Sequence, residues 1–300
     1  MASGGVEPLV PARPLGPDAP PVSVVGLGGM PLSINDRPPE DVGIRVVHAA
    51  LDAGVTLIDT ADVYCLSDRD IGHNERLVTA ALASWKGPRE SVLIATKGGI
   101  TRPEGRWGVN GRPEHLFRAC DRSLKALGVE RISLYQLHRP DPEVPFAESV
   151  EALAELVQRG KVRWVGLSNV TVEQIAQARA LVPVQTVQNR LNPFFREALE
   201  TGVVRYCAEH GLGFLAYSPL GGGRLNKKLP SHPVVSAIAA RRKASPHAVV
   251  TAWVLAQGPT VIAIPGARSE AHARDAVSSA DLRLDPDELG AIDEAEFSRA

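Results

Sequence analysis

Four side chains in this sequence, Asp59, Tyr64, Lys97 and His138, have the types needed for a proton-transfer site if the fold gathers them. A free phenol, with a pKa of about 10, is a poor proton donor or acceptor at neutral pH. A neighbouring ammonium favours the phenolate, so Lys97 is expected to bring the Tyr64 pKa down. Asp59 beside that lysine keeps it charged and in place, and His138 can orient a carbonyl oxygen. Such a group protonates the oxygen of a carbonyl while hydride arrives at its carbon. Taken singly, each residue has a plainer reading. Asp59-Thr60 after an apolar run suits a turn or a helix cap, Lys97 a strand-end charge, and His138 a hydrogen-bonded core histidine. Only their joint placement carries the chemistry.

Each of the four closes, or closely follows, a short apolar run. Runs rich in Val and Ile at 22–27, 55–58, 92–95, 132–137, 162–167, 184–187, 213–217 and 260–264 read as strands buried on both faces. Segments of helical spacing separate most of them. In 145–159, Phe146, Val150, Leu153 and Val157 form one stripe. In 113–127, Pro113 stands at a helix start above Leu116, Cys120, Leu124 and Leu127, and Thr171 with Gln174 has the form of a capping box. A last helix is expected over 285–297, opening at Asp285-Pro286 and covering the outside or the bottom. Gly54, Gly128, Gly160, Gly211 and Gly258 each precede a strand, where a left-handed residue ends a helix.

Eight strands with intervening helices predict an α/β protein, a closed (β/α)₈ TIM barrel in one domain over 22–300, with its site at the C-terminal face of the strands. Residues 1–21, rich in Pro, Gly and Ala, read as a flexible or loosely packed lead-in. A doubly wound sheet is the competitor. It is weakened at Gly26-Leu27-Gly28-Gly29-Met30-Pro31, where proline takes the place of a dinucleotide fingerprint's third glycine and a polar loop follows.

The strand ends then supply, in order, Asp59 and Tyr64, Lys97, Gln136 and His138, Ser168 and Asn169, Gln188 and Asn189, and Tyr217-Ser218-Pro219. No His-Glu-x-x-His or Cys-x-x-Cys offers metal ligands, and no Gly-x-Ser-x-Gly offers a serine nucleophile. Gly221 to Lys228 lacks the pattern of a phosphate-binding P-loop. A formal charge of −1 from 33 basic and 34 acidic residues argues against nucleic acid or an anionic membrane as partner. Three cysteines are too few, and odd in number, for a disulfide framework, so reduced thiols and a cytoplasmic setting are expected. There is no signal-peptide pattern and no apolar run of membrane-spanning length.

From about residue 22 onward the chain resembles the aldo-keto reductases. The likeness rests on Leu57-Ile58-Asp59-Thr60-Ala61-Asp62-Val63-Tyr64, Ala95-Thr96-Lys97, Tyr135-Gln136-Leu137-His138-Arg139-Pro140-Asp141 and Val165-Gly166-Leu167-Ser168-Asn169, in this order. The resemblance implies reversible carbonyl reduction with Tyr64 as general acid, Lys97 and Asp59 tuning it, and His138 placing the substrate oxygen. It also implies NADPH, with NADH as the other possibility, bound extended over the barrel mouth. By the same resemblance Ser168, Asn169 and Gln188 meet the nicotinamide carboxamide, and Tyr217 stacks on the ring. Ser218, Pro219, Leu220, Gly221 and Gly222 lie over the pyrophosphate. Gly266 and Arg268 serve the adenosine phosphate, and Asp275 the adenine. Ala276 and Gly266 depart from the residues frequent in the family, which leaves NADPH a preference. Two other readings stand beside this one: a cofactor-binding regulatory or sensor subunit, like the potassium-channel β subunits that share this fold, and an alcohol or sugar dehydrogenase working oxidatively.

Met30 and Trp107 are the candidate substrate-pocket residues, since loops after barrel strands carry substrate contacts. The polar loops over 33–40 and 101–112 favour a polar metabolite over a steroid. Cys65 reads as a packed thiol, and Trp85, Trp164 and Trp253 as packing. Oligomeric state and the particular substrate are not written in the sequence.

Overall fold

A computed structural model describes residues 10–299. Two antiparallel strands come first, β1 (Ala12–Gly16) and β2 (Ala19–Ser23). The barrel strands follow as β3 (Leu27–Gly28), β4 (Leu57–Asp59) and β5 (Leu93–Gly98), interrupted by a small hairpin of β6 (Ile100–Thr101) and β7 (Gly108–Val109). They continue as β8 (Ile132–Leu137), β9 (Val162–Ser168), β10 (Val184–Arg190), β11 (Gly213–Tyr217) and β12 (Val261–Ile264).

The eight barrel strands pair in parallel, in chain order from β3 to β12. Bridges Val25↔Ala263 and Gly28↔Gly266 join the last strand to the first. This is a (β/α)₈ barrel. The first strand is shorter than the apolar run at 22–27 predicts, because Val22 and Ser23 belong to β2 and Val25 contributes only a bridge. No helix among the described residues is long and apolar enough to cross a membrane.

Period-two alternation divides each strand between two environments. Leu57, Leu93, Ala95, Leu134, Leu215, Ile262 and Ile264 form one buried cluster inside the ring. One step further along the same faces stand Asp59, Lys97 and Gln136, and His138 stands one step beyond Gln136, just past the end of β8. The opposite faces, with Ile58, Tyr135 and Val187 among them, pack beneath the helices in the larger core. The expected helix at 113–127 is present as Pro113–Leu127, with Pro113 in its first turn and Gly128 at φ 65° ending it. Thr171 and Gln174 form the expected capping box. The last helix runs Pro286–Glu294, shorter than expected, and opens in a capping box of Asp285 with Glu288. Glu288 receives Arg242 from the helix Pro233–Arg242, which fixes the last helix to the outside of the ring.

Two expectations need correcting. The described part of the lead-in is a structured hairpin that closes the floor. Leu15 is fully buried in the interior cluster, and the Arg13 guanidinium donates to the carbonyls of Leu255, Gly258 and Val261. Residues 1–9 lie outside the described residues. Gly54, Gly160 and Gly211 have the expected positive φ, whereas Gly258 does not. A Cβ on Gly258 would stand 3.2 Å from Val204 and 3.3 Å from Val261, so tight packing, not a left-handed turn, favours glycine there.

Candidate active site

Asp59 ends β4, Lys97 lies on β5 and His138 follows β8, so three neighbouring strands deliver them to the upper rim of one interior. Tyr64 arrives from the loop after β4. The Lys97 ammonium is fully buried and donates to Asp59 Oδ2 at 2.6 Å, to the Tyr64 hydroxyl at 3.0 Å and to the Thr60 carbonyl at 2.9 Å. Asp59 Oδ1 accepts from Gln188 Nε2 at 2.7 Å and, at 3.4 Å, from Gln136 Nε2. Both Asp59 oxygens and the Lys97 ammonium beneath the phenol therefore have partners. The His138 ring stands edge-on to Tyr64, with centroids 5.8 Å apart.

Burial would drive Lys97 towards neutrality, but the Asp59 charge and the Tyr64 hydroxyl reverse this and raise its pKa, so it is an ammonium. Tyr64 differs from the expectation. Burial raises its pKa and outweighs the opposing pull of Lys97, so the resting group is a neutral phenol with a proton to give. Burial, then the charges of Lys97 and Arg139, hold His138 well below the usual histidine range. It is a neutral imidazole, and its Nδ1 has no partner among the described residues.

Above these groups opens a cleft of about 490 Å³. Tyr64, His138, Met30 and Trp107 line it, together with Arg139, Lys227, Arg268 and His272. Asp59 is the single acid in the lining among the described residues, so a polyanion meets mostly basic groups there. Ser168, Gln188, Tyr217, Ser218, Pro219, Leu220, Gly222 and Gly266 also border it. Asn169 lines it as well, but its amide is committed to the protein. It donates to the His138 carbonyl and Ser168 Oγ, both at 3.0 Å, and accepts from the Tyr217 hydroxyl at 2.8 Å. Asn169 and Ser218 have φ of 60° and 47°. Such strained backbone costs about 1–3 kcal/mol each and gathers where geometry is functionally constrained.

Asp275 is not part of the cleft. Its carboxylate accepts from Ser245 Oγ at 2.7 Å, and His272, one helical turn earlier, faces the cavity instead. Arg268 donates to the carbonyls of Pro31 and Asn35 and so fastens the loop after β3 to the strand-eight end. Gly266 is needed by the protein itself, since a Cβ there would lie 2.5 Å from Pro31. The polar loops contribute little polarity: of 33–40 only Ile34 reaches the cleft, and of 101–112 only Trp107. Most of their charged groups face outward or form ion pairs, as Arg106 does with Glu104, while Arg102 is buried away from this cleft. Cys65 is buried and donates to the carbonyls of Val63 and Ser67. Trp85 and Trp253 are packed, with their indole N–H groups on Asp52 and Asp293, and Trp164 packs on the floor cluster. The sequence reading missed Arg139, Lys227 and His272; only Arg139, next to His138, carried a local signal. No group of three or more His, Cys, Asp or Glu among the described residues could hold a metal ion.

Fold and rim together define an oxidoreductase of the nicotinamide-dependent barrel class. Residues 24–296 match the sequence profile of the Aldo/keto reductase family. A probable aldo-keto reductase 1 from Glycine max is 36% identical over 303 residues, spanning 91% of this chain and 85% of that protein. Among solved structures, a glycerol dehydrogenase from Gluconobacter oxydans is similar with a TM-score of 0.80 at 32% identity, covering 94% of each chain. An aldo-keto reductase from Klebsiella pneumoniae in complex with NADPH gives 0.78 at 27% identity, again over 94% of each. The chain belongs to the aldo/keto reductase family.

Proposed function

We propose that this protein reduces an aldehyde or ketone to the alcohol at the expense of NADPH, with Tyr64 as the proton donor. The observation that carries this reading is the buried relay from Tyr64 through Lys97 to Asp59, at 3.0 Å and 2.6 Å, set at the floor of the cleft. When bound, the nicotinamide supplies hydride to the carbonyl carbon. The chain's own residues manage the oxygen. Neutral His138 and the Tyr64 hydroxyl hold it by hydrogen bonds, and Tyr64 releases its proton as negative charge develops there. Lys97, already charged, stabilises the phenolate left behind, and Asp59 keeps the ammonium from drifting.

The residues suit the dinucleotide. Gln188 spends its Nε2 on Asp59, leaving Oε1 for the carboxamide, and the Ser168 hydroxyl can donate to the same group. Tyr217 offers a ring, and Gly222, with open space beside its Cα, lets a phosphate approach bare backbone. Lys227 and Arg268 at the far end favour the 2′-phosphate of NADPH. Met30, Ile100 and Trp107 give the substrate end apolar walls, which suit a small carbonyl compound with limited polarity.

Tyr64→Phe tests the assignment. Turnover should fall about 10²–10⁴-fold, with NADPH binding, read by quenching of protein fluorescence, unchanged. Reduction of a good aldehyde at the parental rate by this variant would falsify the role of Tyr64.

A further inference from the structure

A second cavity, also of about 490 Å³, adjoins the catalytic cleft and shares the side chain of Ile100 with it. Val63, Ile71, Ile100 and Pro103 give it apolar walls, and Arg102 and Arg122 bring two guanidinium groups. Arg102 is 4% exposed, yet it has no ion-pair partner among the described residues. Its Nη2 donates to the carbonyls of Cys65 and Leu66, at 3.1 Å each, and its Nε has no partner. A buried cation without a counter-charge is costly. Among the described residues, the acid that Arg122 reaches is Asp62, at 3.5 Å. Burial and the nearby Glu75 push that carboxyl up to about 8, so at neutral pH it supplies no negative charge. Asp68, exposed, is the one acid in the lining. Burial first, and then the charges of Arg122 and Arg118, push His115 down to about 4, so it adds no acid to this corner.

The cavity is also wired to the catalytic cleft. Arg102 lies over the Trp107 ring, 3.9 Å from its centroid, and Trp107 lines the substrate end. The two carbonyls that Arg102 holds belong to the residues directly after Tyr64.

We propose that this second cavity binds a small organic carboxylate with an apolar body, drawn by Arg102 and Arg122, and that its occupation alters turnover in the neighbouring cleft through Arg102 and Trp107. The apolar walls select a carboxylate over inorganic phosphate, whose oxygens demand water or donors on every side.

The probe is 4-iodobenzoate, used with the full chain, with and without NADP⁺. Anomalous scattering in crystals should place iodine between Val63 and Pro103, and calorimetry should show that event weakened about tenfold in Arg122→Gln. In rate assays the probe should change turnover in a way that raising the aldehyde does not relieve, and Arg122→Gln should lose this response while keeping its basal rate. Iodine confined to the catalytic cleft, equal affinity in parent and variant, purely competitive kinetics, or phosphate binding as tightly as the carboxylate would each overturn the proposal. The crystallographic and phosphate arms do not depend on the variant's folding.

Discussion

Asp59 and Asp62 sit three residues apart and are both buried, yet the two regions they serve have opposite electrostatics. Asp59 faces the barrel interior, where Lys97, Gln188 and Gln136 occupy its oxygens. Asp62 turns outward beneath the helices, near Glu75 and Tyr135. There Asp62 Oδ1 and the Tyr135 hydroxyl have no partner among the described residues, and Arg122 stands 3.5 Å from Asp62 Oδ2. Equal burial thus gives a working ion pair on one side of β4 and a carboxyl pushed up to about 8 on the other. Partners, more than depth, decide whether a buried acid is charged.

Removing the lysine should break the difference most severely. Lys97→Met leaves Asp59 buried without its cation, which costs about 3–5 kcal/mol, and turnover should fall about 10²–10⁴-fold. Urea unfolding and aldehyde turnover measure the two losses. A second change, Asp59→Asn in the Lys97→Met background, should recover stability and no activity. If Lys97→Met alone is as stable as the parent, the floor is not held by this pair.

The outer carboxyl predicts a smaller effect with a definite sign in pH. Its folded pKa of about 8 lies above the ordinary 3.8. The unfolded chain therefore gives up this proton first as pH rises. The stability held by the protonated form is complete below about pH 4 and is lost through pH 8. Asp62→Asn should flatten that decline by a few kcal/mol while leaving turnover at neutral pH near the parental value. Melting temperatures of both proteins at pH 5 and pH 8.5 decide it; parallel slopes would mean that Asp62 is already ionised.

The smallest expected effect lies where the two regions share β5. A Cβ on Gly98 would meet the Tyr135 hydroxyl at 2.1 Å, so Gly98→Ala should cost about 1–3 kcal/mol by overpacking. Tyr135→Phe removes the closest of these contacts and an unpaired hydroxyl, leaving a ring carbon 3.0 Å from the added methyl, so the double variant should regain part of the loss in denaturant titration.

Much of this was legible in the sequence because parallel strands buried on both faces leave unbroken apolar runs. Residues 132–137 and 213–217 are strands with those limits. The gathering of Asp59, Tyr64, Lys97 and His138 at one rim was legible because each closes or follows such a run. The hairpin was not, since its prolines imitate a loop: Pro14 and Pro21 stand opposite each other in a two-stranded ribbon where proline is tolerated. Asp275 shows a second limit. It lies on the helix Glu270–Ser278, and whether that helix turns His272 or Asp275 towards the cleft depends on packing against Ser245, a contact 30 residues away. The pKa direction of Tyr64 failed for a similar reason, because the degree of burial is a property of the assembled barrel and not of neighbours in the chain.

The floor hairpin also sets an order of events during synthesis. Arg13 docks on carbonyls from Leu255 to Val261, and Gly213 keeps no side chain because the Leu15 carbonyl would stand 2.2 Å from its Cβ. The hairpin thus leaves the ribosome well before its seat, which is complete only when the last barrel strand has emerged. Until then the ring lacks both its seam and its base, and the nascent chain carries an open apolar bowl that a chaperone has reason to cover.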